Sequence, residues 1–102
     1  MKNTMHIFHI TERSTWQEEK HNTFYEGGTL STDGFIHCCL FDQIEDVLLN
    51  WFEGKHDIVI LEIDPEILLP SVKYENLEDG QEMFPHIYGP INLDAVINEK
   101  SA

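Results

Sequence analysis

Residues 42–63 read DQIEDVLLNWFEGKHDIVILEI, and a change of period inside this stretch decides the fold class. From 42 to 53 the apolar residues Ile44, Val47, Leu48, Trp51 and Phe52 recur at i, i+3, i+4, i+7 and i+8, the spacing of one helical face. Gly54 ends that helix. Residues 58–63 are then almost continuously apolar, which reads as a central strand covered on both faces, with Glu62 near its exit. A helix with one apolar face beside a buried strand defines a mixed α and β domain.

The segments on either side extend this reading. Residues 5–10 are rich in β-formers; as a strand they put Met5, Ile7 and His9 on one face and His6, Phe8 and Ile10 on the other. Thr11 and Ser14 are cap-type residues, and Ser14 with Gln17 has the capping-box spacing ahead of a short polar helix anchored by Trp16. Gly27 and Gly28 break the chain, Asp33-Gly34 makes a turn, and residues 35–40 read as a second core strand with His37 on the face of Phe35 and Cys39. Asp64-Pro65 caps a single turn, residues 72–75 alternate like a half-exposed strand, and Asp79-Gly80 turns the chain. Residues 84–88 and 95–97 supply the last strands. The expected architecture is α+β, a sheet with two helices laid on it, in a single domain over residues 1–102.

Charge narrows the function. Nineteen acidic residues face five lysines and the single arginine, Arg13, for a formal net charge of −13. No basic surface of useful size can be assembled against phosphate, so nucleic acid is not an expected partner. The same field opposes anionic membranes and disfavours anionic ligands unless donors are concentrated locally, which directs attention to Arg13. The apolar runs are short, and no signal-peptide pattern opens the sequence. Cys38 and Cys39 are sequence neighbours, poorly placed for a disulfide, so a reducing, cytoplasmic setting is expected.

The chemistry must come from polar residues set in apolar strands. His9, His37 and His86 each occupy such a position, near Thr11 and Arg13, near Cys38 and Cys39, and near Tyr88 and Glu82. They read either as core histidines bonded to backbone or as one shared cleft. Zinc ligation would depend wholly on tertiary placement, because no C-x-x-C, H-x-x-x-H or H-E-x-x-H pair is present. Cys38 reads as packing before nucleophile. Glu62 and Glu75 read as strand ends, and His6, His21 and His56 as surface or edge residues.

Four strings carry a family resemblance: Phe8-His9-Ile10-Thr11, Gly34-Phe35-Ile36-His37-Cys38, Leu61-Glu62-Ile63-Asp64-Pro65, and Phe84-Pro85-His86-Ile87-Tyr88-Gly89-Pro90-Ile91. In this order and spacing they resemble the bacterial domain-of-unknown-function family 952, over about residues 5–98. The family is grouped with the ADP-ribosyltransferase-like superfamily. That grouping implies a split, strongly bent, mainly antiparallel sheet around a cleft for nicotinamide adenine dinucleotide (NAD). It further implies that His9 holds ribose hydroxyls and that His37 stands where the superfamily has a tyrosine. Glu82 is then the carboxylate that stabilises an oxocarbenium-like sugar, with Glu62 or Glu75 on neighbouring strands the next candidates. Thr11, Arg13, His86 and Tyr88 complete the implied nucleotide-binding set, with Arg13 meeting the pyrophosphate and Tyr88 or His37 stacking on the departing ring. Cys39 and Leu40 stand where the family usually has serine and threonine. The implied activity is NAD-dependent ADP-ribosyl transfer or NAD hydrolysis; the alternative is a non-catalytic module that binds a small ligand or a protein through the same cleft. The resemblance points to no particular protein partner.

Overall fold

The computed structural model describes residues 5–76 and 82–102. Among the described residues eight strands and three helices follow one another as β1 (Ile7–Glu12), α1 (Arg13–Glu19), β2 (Phe24–Tyr25), α2 (Leu30–Asp33), β3 (Ile36–His37), α3 (Ile44–Trp51), β4 (Ile58–Ile63), β5 (Ser71–Glu75), β6 (Phe84–Tyr88), β7 (Ile91–Asn92) and β8 (Val96–Ser101). They form two three-stranded antiparallel sheets, ordered β1-β4-β8 and β3-β6-β5, and a two-stranded ribbon, β2-β7. The larger sheets meet where Phe8 and Cys39 exchange backbone N–H···O bonds, each 2.8 Å. The fold is therefore a small α+β arrangement of open, mostly antiparallel sheets with three helices, one more than expected.

β4 is central because both of its faces are apolar. Val59, Leu61 and Ile63 join Ile7, Ile36, Ile87 and Ile91 in the main core. Ile58 and Ile60 face Ile10 and, across it, Ile44, Val47, Leu48 and Phe52 of the α3 region. The helical period in residues 42–53 thus reports a real interface, although its first residues form a 3-10 turn, Phe41–Gln43, before α3 begins. Trp51 departs from the expected face: its side chain is 61% exposed, and Phe52 takes the inward position.

Other departures have local causes. The Ser14–Gln17 capping box does not form, because β1 runs on through Thr11 and Glu12 and the helix starts at Arg13 with no side-chain cap. Trp16 does anchor α1, buried and donating its indole N–H to Glu99 at 3.1 Å. Asp33-Gly34 is the end of α2, a four-residue helix too short to show a hydrophobic period. Gly34 closes it at φ 85°, a left-handed conformation suited to glycine, with its N–H on the Leu30 carbonyl. The strand expected over residues 35–40 is reduced to Ile36–His37 plus the Cys39 bridge, since the segment must pair with β6 and then with β1. Two-residue strands β2 and β7 carry too little pattern to be legible. The turn expected at Asp79-Gly80 lies outside the described residues. Among the described residues no helix is long and apolar enough to cross a membrane.

Candidate functional site

Antiparallel register gathers one chemically distinctive face. His37 pairs with His86 across β3 and β6, and Lys73 pairs with His86 across β5 and β6. Because side chains alternate along a strand, Lys73, Glu75, His86 and Tyr88 emerge on the same side of this sheet as His37. Phe35 stacks on His86 with ring centroids 4.2 Å apart and planes 25° off parallel. The His37 ring lies 4.7 Å from Phe35 and meets His86 edge-on at 5.4 Å. Tyr88 adds a fourth ring, 5.4 Å from Phe35, and the Lys73 ammonium sits 4.9 Å above its face.

Each imidazole is oriented by its own carboxylate. His86 Nδ1 donates to Glu75 Oε1 at 2.9 Å, and the Tyr88 hydroxyl donates to the same oxygen at 2.6 Å. His37 Nε2 donates to Asp33 Oδ2 at 2.9 Å, an i,i+4 contact from the end of α2. The Tyr88 hydroxyl, and then His86, hold the Glu75 carboxyl below its ordinary range, and the His37 bond does the same for Asp33. The hydrogen bond to Glu75, and then desolvation, push the Tyr88 hydroxyl up in turn. Ionised carboxylates can only accept, so the bonded ring nitrogens carry the protons. In the neutral rings, His37 Nδ1 and His86 Nε2 are then the basic atoms. His37 is half exposed and can accept a hydrogen bond from a ligand or offer its ring for stacking, whereas His86 is buried against Phe35 and serves to orient Glu75.

His9 is not part of this face. Its Nδ1 donates to the His37 carbonyl at 2.7 Å, and its Nε2 accepts from the Tyr25 hydroxyl at 2.9 Å. The Tyr25 hydroxyl in turn bonds the Thr11 hydroxyl. All three are buried. Burial lowers the His9 pKa to about 4 and raises that of Tyr25 to about 12, so both stay neutral around pH 7. With both ring nitrogens used inside the core, His9 braces the backbone of residue 37 and has no free atom for a ribose hydroxyl. Of the three histidines expected around one cleft, the structure brings His37 and His86 together and keeps the His9 ring in the packed interior, where β1 needs its polar atoms satisfied.

The other implied residues also separate. Glu82 accepts from Gln43 Nε2 at 3.0 Å and so helps fasten the turn before α3; the carboxylate bonded to His86 is Glu75. Arg13 donates through Nε to Asp57 Oδ1 at 2.7 Å and through Nη2 to Ser101 Oγ, tying α1 to the β4-β8 end of the other sheet. Burial pushes the thiols of Cys38 and Cys39 upward, Cys39 to about 12, which keeps them protonated and poorly nucleophilic. Among the described residues no three His, Cys, Asp or Glu side chains gather as a metal site.

Sequence reading put Phe35 on the face of His37 and held Glu75 only as an alternative to Glu82; it missed Asp33 and Lys73 as members of the face and Tyr25 as the partner of His9. One available signal was the alternation Lys73, Glu75 and His86, Tyr88 on two neighbouring strands, which places all four on one face once the strands are paired. The Tyr88-Gly89-Pro90 step also gains a reason. Gly89 has φ 156°, and a Cβ there would come within 2.8 Å of Pro70 Cβ.

The fold and this face define a small α+β domain carrying two carboxylate-oriented imidazoles in a cluster of rings. The chain belongs to the family described as protein of unknown function (DUF952), whose pattern matches residues 10–99. It is similar to the crystal structure of protein CC0527 from Caulobacter crescentus, with 31% identity and a TM-score of 0.83, covering 94% of this chain and 84% of that one. The solution NMR structure of CC0527 gives 31% identity and a TM-score of 0.78, covering 93% and 82%. No match was found among curated proteins.

Proposed function

We propose that the His37–His86–Tyr88 face is a small-molecule site and that the protein acts on NAD there, in the manner of an ADP-ribosyltransferase-like domain. The observation that carries this reading is Glu75, a carboxylate kept ionised by two donors beside a cluster of rings. Cleavage of the nicotinamide–ribose bond builds positive charge on the sugar, which a fixed carboxylate stabilises, while a planar ring departs from an aromatic shelf. In this reading Glu75 takes the electrostatic role first expected of Glu82. His37 and Tyr88 stack on the nicotinamide, and His86 orients Glu75. Lys73, the cation beside the rings, meets the pyrophosphate in place of Arg13.

A second reading keeps the site without the reaction. The engagement of His9 in the core and of Arg13 with Asp57 favours a binding module for a flat, uncharged or cationic ligand, which the net charge of −13 also favours over an anion. One paired experiment separates the two: NAD titration by calorimetry and nicotinamide release by chromatography, on wild type, Glu75→Gln and Glu82→Gln. The enzyme reading expects Glu75→Gln to keep most of its affinity while release falls by about a hundredfold, with Glu82→Gln close to wild type. Binding without release supports the module. No binding at millimolar NAD removes the nucleotide from both readings.

A further inference from the structure

A separate groove lies beside the sheet β1-β4-β8, on the face that α3 only partly covers. It measures about 580 Å³, within the range of small-molecule clefts. Its apolar lining comes from Phe8, Phe41, Ile44 and Ile60. Phe41 is 74% exposed, an unusual position for a phenylalanine, and its ring meets Phe8 at 5.9 Å. The charged lining is mostly negative: Asp42, Glu45 and Glu62 are opposed by Lys100. Glu62 already accepts from His6 at 2.7 Å, whereas Asp42 and Glu45 stand exposed in the first turns before and within α3.

We infer that this groove is a second ligand site, selective for small organic cations with an apolar body, of the aryl-alkylamine class. The apolar lining takes the body, and the Phe8 and Phe41 rings attract a cation held near their faces. Asp42 and Glu45, in the field of a strongly acidic protein, place the ammonium at the mouth. Charge complementarity selects against the matching anion, because a carboxylate in the same pose would face two like charges. None of the groove residues belongs to the His37–His86 face, so the inference stands apart from the NAD proposal.

The test is a pair of probes with one ring system and opposite charge, tryptamine and indole-3-propionate, titrated into the full chain and followed by amide NMR shifts at moderate salt. Tryptamine is expected to shift Phe8, Phe41, Ile44 and Ile60 and to bind at least tenfold more tightly than the propionate. Phe41→Ser, which removes a largely exposed ring, weakens tryptamine at least tenfold, and Leu49→Ser, an exposed apolar residue of α3 outside the groove, leaves it unchanged. Asp42→Asn with Glu45→Gln narrows the gap between the probes at least threefold, without relying on the Phe41 variant. Equal affinities for the two probes overturn the inference, as do shifts scattered over the acidic surface and indifferent to Phe41→Ser. A concentration-dependent dimer abolished by Phe41→Ser also overturns it, by assigning the face to a second copy of the chain.

Discussion

Tyr88 and His86 share one acceptor: the hydroxyl of the first and Nδ1 of the second both donate to Oε1 of Glu75, at 2.6 and 2.9 Å. Two strand residues on the same face of β6 thereby fix a carboxylate that β5 presents across the sheet. Glu75 owes its low pKa first to Tyr88. Tyr88→Phe should therefore move the Glu75 carboxyl back toward its ordinary range, read by a side-chain NMR titration. By linkage, a depressed carboxyl stabilises the fold above its unfolded pKa and loses that contribution as pH falls through the folded value. The variant should accordingly be less acid-sensitive in the range below the ordinary glutamate pKa. An unchanged Glu75 titration would show that the Tyr88 bond contributes nothing to it.

His9 contributes over a higher pH range. Its folded pKa of about 4 lies below the unfolded 6.5, so the unfolded chain binds a proton first as the pH drops. The neutral His9 contribution is complete above pH 6.5 and is lost as pH falls from there through 4. A shift of this size corresponds to about 3 kcal/mol. Urea melts of wild type and His9→Gln at intervals across that window should show the wild type losing stability faster, by roughly that amount. Parallel pH profiles would exclude His9 as the acid-sensitive group.

Two glycines test backbone strain against space. Gly34→Ala meets nothing within 4 Å and bears only the left-handed φ of 85°, a loss of about 1 kcal/mol. Gly89→Ala adds a 2.8 Å approach to Pro70 Cβ and should lose more, about 2–3 kcal/mol, in the same denaturant assay. Equal losses would mean that Pro70 yields.

Leu61, wholly buried at the centre of β4, is the simplest probe of the core. Leu61→Ala should destabilise by about 2–5 kcal/mol, depending on how far the cavity collapses. Chemical unfolding with a two-state fit measures it, and a loss under about 1 kcal/mol would contradict the packing described for β4.

The long elements were legible because their pattern is local. The run at β4, the period of α3 and the alternation of β5 are all properties of adjacent residues, and each element formed close to its expected place. The fold class follows from them, and the resemblance of the Phe84–Tyr88 strand and the residues after it led to the family. α2, β2 and β7 were missed because two to four residues hold no period. The capping box failed because pairing with β4 extended β1 through Thr11 and Glu12, so strand hydrogen bonds outweighed a local cap.

The site was legible only in part. His37, His86 and Tyr88 stand out as polar residues in apolar strands, and they do meet. Which carboxylate serves them is a matter of register: Glu82 is nearer His86 in sequence, but pairing of β5 with β6 brings Glu75 to it from 11 residues away. His9 shows the same limit, since it shares the strand pattern of the other two, yet its partners Tyr25 and the His37 carbonyl come from β2 and β3. Periodicity states which face of its own strand a side chain occupies. Whether that face meets solvent or another layer is set by long-range pairing and packing, which alone hold the His9 ring in the core and leave the His37 ring half exposed beside Asp33.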